Sequence, residues 1–285
     1  MGYFSNTLKT AILIALLTAL VLFVGDLFGG TTGIIIAFIF VVFFNGIMYW
    51  FSDRIVLWMY RAKELPRNHR VSLMLKEIAH SAGIPAPRGY IVESHTPNAF
   101  ATGRSPKKGA VAVTTGILHL LTDAELKGVL AHEVSHIKNR DTLITTIAGV
   151  LAGIISYLAS MARWAAIFGG FGGRDDNDAG GIISIIVLSI ITPIIAVLIQ
   201  LAISRAREYL ADESAAKMGE AKMLASALRK LEKGNKEHPF GNGEGSPATG
   251  SLFIVNPFRG SWLVSMLSTH PPMDKRIARL EKIQK

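Results

Sequence analysis

Four long apolar segments alternate with polar segments along the chain. Each contains about 18 or more residues, and the only charged residue within them is Asp26, near the end of the first. A helix of about 20 apolar residues is long enough to cross the hydrocarbon core of a bilayer. We therefore predict four membrane spans, at residues 11–28, 33–51, 142–162 and 182–203. Because the second span follows so closely, we interpret the first as a retained anchor and not as a cleaved signal peptide.

The amino-acid composition also favours a membrane protein. Of the 285 residues, 50% are hydrophobic and only 18% are charged, whereas soluble domains have about 25% charged residues. This composition argues against a disordered, collagen-like or ordinary soluble protein. The chain contains no cysteine, which excludes disulfides, thiolate zinc sites and a cysteine nucleophile. A metal ion would have to be held by His, Asp or Glu.

The net charge of +9 is distributed unevenly and predicts the direction of the spans. The link between the first two spans carries no Lys or Arg. Basic residues instead follow the second span, precede the third and follow the fourth: Arg54, Arg61, Lys63, Arg67, Arg70, Lys138, Arg140, Arg205 and Arg207. Because positive charge accumulates on the cytoplasmic side, we expect both termini and both large polar segments to be cytoplasmic, at the cell membrane. No basic stripe carries interleaved aromatic residues, so we expect neither a nucleic acid nor a nucleotide as partner.

The chain is thus expected to have four parts and a mostly helical α+β fold. Residues 1–51 and 142–203 would form transmembrane hairpins, and residues 52–141 and 204–285 would form the two halves of one cytoplasmic domain.

Local patterns predict the elements of the cytoplasmic halves. Val71, Leu75, Ile78 and Ala82 recur on one face of a predicted helix. Alternating and β-branched runs predict a short strand and a following hairpin. Stretches rich in Gly, Asp, Asn, Ser or Pro predict loops. These elements are a helix at 68–82, a strand at 89–93, a hairpin at 98–103 and 110–115, and loops at 169–181 and 234–250.

One predicted helix carries the residues most indicative of chemistry. Thr122 and Glu125 form a capping box, which opens a helix expected to run to about Asn139. Within it lies the sequence His132-Glu133-Val134-Ser135-His136. Residues four apart share a helix face, so both imidazoles are able to bind one Zn²⁺ while Glu133 points toward water at the metal. The alternative is a chance occurrence, which the clear helix N-cap makes less favourable.

A catalytic zinc site usually has three protein ligands and an open position. Glu208 is the best candidate for the third ligand, and Asp212, four residues later, shares its helix face. Asp212 would accept a hydrogen bond from the second ring nitrogen of a liganding histidine. The alternative is an ordinary solvated acidic face. His136 lies six residues before the third span and Glu208 five after the fourth, so neighbouring spans would deliver both to a similar depth.

Together these motifs resemble the HtpX-type membrane zinc endopeptidases, which are related to the CaaX prenyl endoproteases. The resemblance covers nearly the whole chain and includes the His132–His136 motif, the segment from Glu208 to Asp212, the segment 98–103 and the His-Pro-Pro at His270. It implies a gluzincin-type site at the cytoplasmic face and a role in quality control of membrane proteins. Members of the family often carry His where Leu210 stands. That position would face away from the Glu208 and Asp212 side of the helix.

Five further residues are weaker candidates. Segment 98–103 is small and apolar, and an extended peptide is able to add to such a strand. Asn98, Ala99 and Phe100 are therefore candidates for substrate binding, or else form a plain hairpin strand. His270 is a candidate donor to the oxyanion of the tetrahedral intermediate, with Arg276 supporting it, although His270 is equally consistent with a helix cap. We interpret Asp141 as a cap or interface charge and not as a metal ligand.

We therefore predict a zinc metalloendopeptidase with one Zn²⁺ per subunit, with Glu133 as the general base and polypeptides, mainly unfolded or misfolded membrane proteins, as substrates. The lipid bilayer is the other expected partner. The alternatives are a site-specific processing protease of the CaaX type and a zinc-binding membrane scaffold or chaperone without turnover. Glu133 argues against the scaffold, because a structural site needs ligands but no base. A transporter is less favoured, because the spans lack mid-membrane charges.

Overall fold

The structure, a computed structural model, describes residues 2–167, 179–237 and 270–283. The chain divides into two compact units. The first comprises Met1–Thr7, Tyr49–Ile144 and Ser204–Lys285, and the second comprises Leu8–Met48 and Thr145–Ile203. Each unit is built from segments far apart in sequence, so the polar residues of the first unit come from both of its large segments.

The second unit contains the apolar parts of three long helices. Helix α1 (Gly2–Met59) bends at Gly30, where φ is 54° and ψ is −144°. Its two halves pack closely, since a Cβ on Gly33 would lie 2.0 Å from the carbonyl oxygen of Gly25. The other two helices are α5 (Asp141–Ile167) and α6 (Ala179–Lys217), which contains Pro193.

Three helical segments among the described residues are long and apolar enough to cross a membrane: Leu8–Leu27, Asp141–Trp164 and Ile185–Lys217. The predicted second span is also helical, but its apolar segment, Gly29–Phe43, is shorter. The protein is therefore a mostly helical α+β protein with at least three potential spans, and the fourth span stays a prediction. The predicted link at 29–32 coincides with a kink, because Gly30 has non-helical backbone angles and two helices meet there.

The first unit contains a four-stranded sheet. Its strands are β1 (Lys63–Glu64), β2 (Arg88–Val92), β3 (Ala99–Thr102) and β4 (Ala110–Thr114), in the order β1-β2-β4-β3. Strands β2 and β4 are parallel, and the other two pairs are antiparallel. The predicted strand and hairpin are confirmed, and β3 forms one edge of the sheet within the described part of the chain.

The described residues of this unit also form five shorter helices: α2 (Arg70–Ala82), α3 (Thr115–Leu120), α4 (Asp123–Lys138), α7 (Ala221–Glu237) and α8 (Met273–Ile283). The core lies around α4, which packs against α2, α7 and β3. The predicted apolar face of α2 is confirmed, because Val71, Leu75, Ile78 and Ala82 are all buried. The helix ends at Gly83, whose φ of 71° is readily adopted by glycine.

Two predicted loops are partly wrong. Residues 234–237 continue α7 as helix, although glycine is a poor helix former. Gly234 packs against α3, and a Cβ added there would lie 3.0 Å from Leu120 Cδ2, so the close helix contact explains the glycine. Residues 179–181 begin α6. The remaining residues of the two loops, 169–178 and 238–250, lie outside the described residues.

Candidate active site

Helix α4 positions the two histidines of the motif. The capping box predicted at its start is present, with the Thr122 side chain accepting from the Glu125 backbone and the Glu125 side chain from the Thr122 backbone. The helix runs to Lys138 and is capped by Asn139, close to the predicted end. His132 and His136 therefore project from the same face, and their Nε2 atoms lie 3.0 Å apart. Two ring nitrogens directed at one another in this way are well placed to share a cation.

Glu208, on α6, brings a carboxylate to the same point. Its Oε1 lies 3.4 Å from His136 Nε2, and its Oε2 lies 3.6 Å from His132 Nε2. Ligand atoms at about 2.0–2.1 Å from one tetrahedral zinc ion would be roughly 3.3 Å from one another. The three observed separations scatter around that value, so His132, His136 and Glu208 form a group that fits one zinc ion.

Glu133 lies beside this group and is buried. Burial raises the pKa of its carboxyl group, an effect that His136 and His132 partly oppose. A carboxyl group whose pKa is raised toward neutrality is better suited to accept a proton and to return it. The position and environment of Glu133 therefore fit a general base.

Asp212 supports the first histidine. One turn beyond Glu208 on α6, its Oδ1 lies 3.0 Å from His132 Nδ1, and its side chain is almost fully buried. The structure thus brings together the pair expected from the sequence. Burial would lower the pKa of His132, but hydrogen bonding to Asp212 and Glu208 raises it. Leu210, between the two acidic residues, is fully buried in the core and contributes no polar group.

Asp141 supports the second histidine, a contact that the sequence analysis missed. Its Oδ2 lies 2.8 Å from His136 Nδ1, and its other oxygen pairs with the buried side chain of Arg207. Burial would lower the pKa of His136, but Asp141 and Glu208 together raise it well above its usual value. Each histidine thus has its own carboxylate behind it, an arrangement that orients a liganding ring and increases its basicity.

Arg276, on α8, connects the acidic residues of the site. Its Nη1 lies 3.0 Å from Glu208 Oε2, and its Nε and Nη2 bind the two oxygens of Asp212 at 2.9 and 2.7 Å. The side chain is completely buried. Burial alone would lower its pKa, but Asp212 and Glu208 raise it. A permanently charged guanidinium in this position neutralises one carboxylate and fixes the orientation of both.

His270 also contacts the ligand group. Its Nδ1 lies 3.1 Å from Glu208 Oε2, immediately before the residues that lead into α8. The structure therefore places His270 within the site, but its role as an oxyanion donor stays a prediction.

Residues Asn98, Ala99 and Phe100 occupy the edge strand β3 and its start. Asn98 is buried, and its backbone N–H donates to Thr114 Oγ1 over 2.9 Å. Ala99 packs in the core with α4. Phe100 faces the other side of the sheet, where its ring lies 5.1 Å from that of Tyr60. The Phe100 side chain thus lies away from the metal-binding residues. Substrate binding by the backbone of β3 stays a prediction.

Comparison with known proteins identifies the family. Residues 66–284 match the model of peptidase family M48. The Protease HtpX homolog of Pyrococcus furiosus is 53% identical over 281 residues, covering 96% of this chain and 95% of the relative. The Protease HtpX homolog of Syntrophotalea carbinolica is 50% identical over 279 residues, covering 98% and 99% of the two chains.

A solved structure shows the same fold at lower identity. The crystal structure of S. mikatae Ste24p is 21% identical, with a TM-score of 0.57, and the match covers 98% of this chain and 66% of that one. The likeness extends over nearly the whole of this chain, including both of its compact units. The sequence matches, together with the histidine–glutamate group on α4 and α6, lead to one conclusion: this chain belongs to peptidase family M48.

Proposed function

We propose that this M48 peptidase is a zinc endopeptidase that cleaves unfolded or misfolded segments of membrane proteins at the cytoplasmic membrane surface. The observation that carries the proposal is the convergence of His132, His136 and Glu208 on one point, with the buried Glu133 beside them. A purely structural zinc site has four protein ligands, no open coordination position and no need of an adjacent base. Three ligands with an adjacent carboxylate instead favour hydrolysis.

The residues of the site have separate tasks in peptide hydrolysis. Zinc held by His132, His136 and Glu208 would supply Lewis acidity, polarising the scissile carbonyl and lowering the pKa of water. Glu133 takes a proton from the attacking water and later returns it to the leaving amine nitrogen. Asp212 and Asp141 keep the two imidazole rings oriented, and Arg276 holds Glu208 and Asp212 in place.

His270 is proposed to donate to the oxyanion that forms on the scissile carbonyl. Its ring is nearly buried, and its Nδ1 lies 3.1 Å from Glu208 Oε2. The ring is therefore close to where the carbonyl oxygen of a substrate would lie beside the ligands. Donors aimed at a developing oxyanion act mainly in the transition state. His270 would therefore influence the chemical step more than substrate binding.

Strand β3 is proposed to hold the substrate in an extended form. It is the edge strand of the sheet within the described residues, and it packs directly against α4, which carries two of the ligands. Backbone pairing with an edge strand recognises the peptide main chain and not a particular side chain. Such binding would suit unfolded substrates of varied sequence. It requires the backbone of Ala99 rather than the ring of Phe100, because the Asn98 backbone is already bonded to Thr114.

Four spans and a cytoplasmic active site complete the proposal. The basic residues beside the predicted spans support this direction. Glu208 lies on α6 only five residues beyond the predicted end of the fourth span, so the site would work close to the membrane surface. A reporter fused between residues 172 and 180 is expected outside the cell, and one fused after Lys285 in the cytoplasm. The reverse pattern would refute the proposed orientation.

The substrate class is tested with purified full-length protein in detergent. We expect cleavage at several sites of an unfolded soluble protein such as casein and of a heat-destabilised membrane protein, but slow cleavage of the same membrane protein when folded. A chelator should abolish cleavage and added zinc should restore it. Cleavage at one site only, in one substrate only, would instead favour a site-specific processing protease. Absence of cleavage from a zinc-loaded preparation would favour a non-catalytic scaffold.

A further inference from the structure

A basic cleft lies in the first unit, apart from the metal ligands. Its volume is about 1200 Å³, and Trp50, Trp58 and Tyr90 are among the residues that line it. The lining contains six cationic side chains and one carboxylate, Asp53. The cations are Arg54, Arg61, Arg88, Arg104, Lys107 and Lys108. Such an excess of positive charge in one concave surface focuses a potential that attracts anions.

The cations come from separate parts of the chain. A bias of basic residues within about 15–20 residues of a span is expected from membrane insertion alone, and it accounts for Arg54 and Arg61. It does not account for Arg88 on β2, or for Lys107 and Lys108 in the turn between β3 and β4. Folding brings these distant cations into the same cleft as the end of α1.

Most of these cations have no acidic partner within the described part of the chain. Arg88 lies 3.9 Å from Glu64, a weak contact, whereas Arg54, Arg61, Lys107 and Lys108 form no ion pair among the described residues. Arg104 lies over the ring of Trp50 at 4.2 Å and so is held at the wall of the cleft. The positive charge is therefore concentrated and available to a ligand.

Two residues at the cleft have unusual backbone conformations that position its cationic side chains. The turn that carries Lys107 and Lys108 requires Gly103, whose φ is 123° and whose Cβ, if present, would lie 2.4 Å from the Lys108 carbonyl oxygen. Arg61 has a φ of 48°, a conformation that costs an L-residue about 1 kcal/mol or more. Arg61 thus places a charge at a position where glycine would be less strained.

Aromatic residues indicate the source of the anion. Trp50 is the next-to-last residue of the predicted second span, and Trp58 lies seven residues beyond the end of that span. These two residues are 58% and 80% exposed, respectively. Exposed Trp beside an apolar helix is typical of the headgroup level of a bilayer. From these observations we propose that the cleft binds the phosphate of an anionic phospholipid headgroup, with Lys107, Lys108 and the neighbouring arginines as its cationic partners.

The test uses full-length protein carrying Glu133→Gln, so that binding is measured without turnover and independently of the peptidase proposal. Replacing Trp164 and Trp262 by Phe leaves Trp50 and Trp58 as the fluorescent reporters. Dihexanoyl phosphatidylglycerol, kept below its micelle concentration, should produce a saturable change in fluorescence. Dihexanoyl phosphatidylcholine and inorganic phosphate should each bind at least tenfold more weakly.

A charge-matched pair of variants locates the site. Lys107→Glu with Lys108→Glu should weaken phosphatidylglycerol binding at least tenfold, because each cation near anionic lipid contributes substantially to binding. Lys76→Glu with Lys222→Glu changes the net charge equally at exposed positions outside the cleft, and should alter the affinity less than twofold. Equal affinity for the two lipids, equal affinity for inorganic phosphate, or an unchanged affinity in the Lys107 and Lys108 variant would each overturn the proposal.

Discussion

Asp141 Oδ2 lies 2.8 Å from His136 Nδ1, just as Asp212 Oδ1 lies 3.0 Å from His132 Nδ1. Each histidine of the motif therefore has a carboxylate at the ring nitrogen that does not face the metal site. The same Asp141 is paired with the buried Arg207, whose Nη2 also donates to the Asn139 carbonyl oxygen over 2.9 Å. The end of α4, the start of α5 and the middle of α6 therefore converge on one histidine. The site is defined by these supporting contacts as much as by its ligands.

Replacing Asp141 tests this support. Asp141→Asn retains the size of the side chain but removes the charge that keeps His136 basic, so zinc affinity should fall about 10- to 100-fold. Affinity is measured by competition with a chromogenic chelator, and thermal unfolding is recorded on the same sample. Asp123→Asn, an exposed residue paired with Arg70, is the control. Reduced stability with normal zinc affinity would show that Asp141 serves only to neutralise Arg207.

Glu208→Ala should lower zinc occupancy itself, because it removes one of three protein ligands. We expect activity and metal content to fall together when the protein is dialysed against a mild chelator. Glu213→Ala is the control, since Glu213 lies on the same helix and pairs with Lys217 instead. Full zinc stoichiometry in Glu208→Ala after dialysis would show that another residue is the third ligand.

His270→Ala separates catalysis from support of the ligand. If His270 donates to the oxyanion, the variant should keep its zinc, keep KM within a few-fold and lose roughly 10²–10³ in kcat. Because His270 Nδ1 lies close to Glu208, a role in holding that ligand predicts a different pattern. In that case zinc affinity would fall while kcat at saturating zinc stayed nearly normal. Steady-state kinetics and metal analysis on one preparation distinguish the two results.

Glu125 should make a pH-dependent contribution to stability. Burial would raise its pKa, but hydrogen bonds from Lys230, Thr122 and Ser226 lower it from 4.5 to about 2. Because the folded-state pKa is depressed, the stabilisation is complete above the unfolded pKa of about 4.5 and is lost as pH falls toward 2. Glu125→Gln keeps the capping geometry but loses the charge, so it should destabilise the protein by about 1–3 kcal/mol at pH 7.

The measurement for Glu125 is thermal unfolding of both proteins in detergent between pH 7 and pH 2. The difference between wild type and Glu125→Gln should shrink as the pH is lowered below 4.5. Glu77→Gln, at an exposed pair with Lys127, should cost no more than about 1 kcal/mol at any pH. A pH-independent difference for Glu125→Gln would exclude the charge as its cause.

Much of the site could be predicted from local patterns. Spacing of four on a helix places His132 with His136, and Glu208 with Asp212, and the structure has both pairs on continuous helices. The capping box similarly predicted the start of α4, and the helix ends at Lys138, next to the expected end at about Asn139. These features depend only on residues near one another in sequence.

The missed contacts depend on chain turns and on distant residues. Asp141 returns to His136 because Arg140, with a φ of 55°, turns the chain between α4 and α5. No glycine marks this turn in the sequence, so a helix cap was the simpler interpretation. Arg276 reaches Asp212 from 64 residues away, a pairing that only the packing of α8 reveals. Helix α7 continues past the predicted start of the loop at Gly234 for a similar reason, because Gly234 packs against α3, which is distant in sequence.

The central claim is that Glu133 acts as a base beside a metal that it does not bind. Glu133→Gln is nearly isosteric but is unable to accept a proton, and Glu133 is not among the metal-binding group. The direct measurement is zinc content by atomic spectroscopy together with hydrolysis of an unfolded substrate, on wild type and Glu133→Gln side by side. The account predicts one zinc ion per chain in both proteins and hydrolysis in the wild type alone. Wild-type hydrolysis by a zinc-loaded Glu133→Gln protein would contradict it.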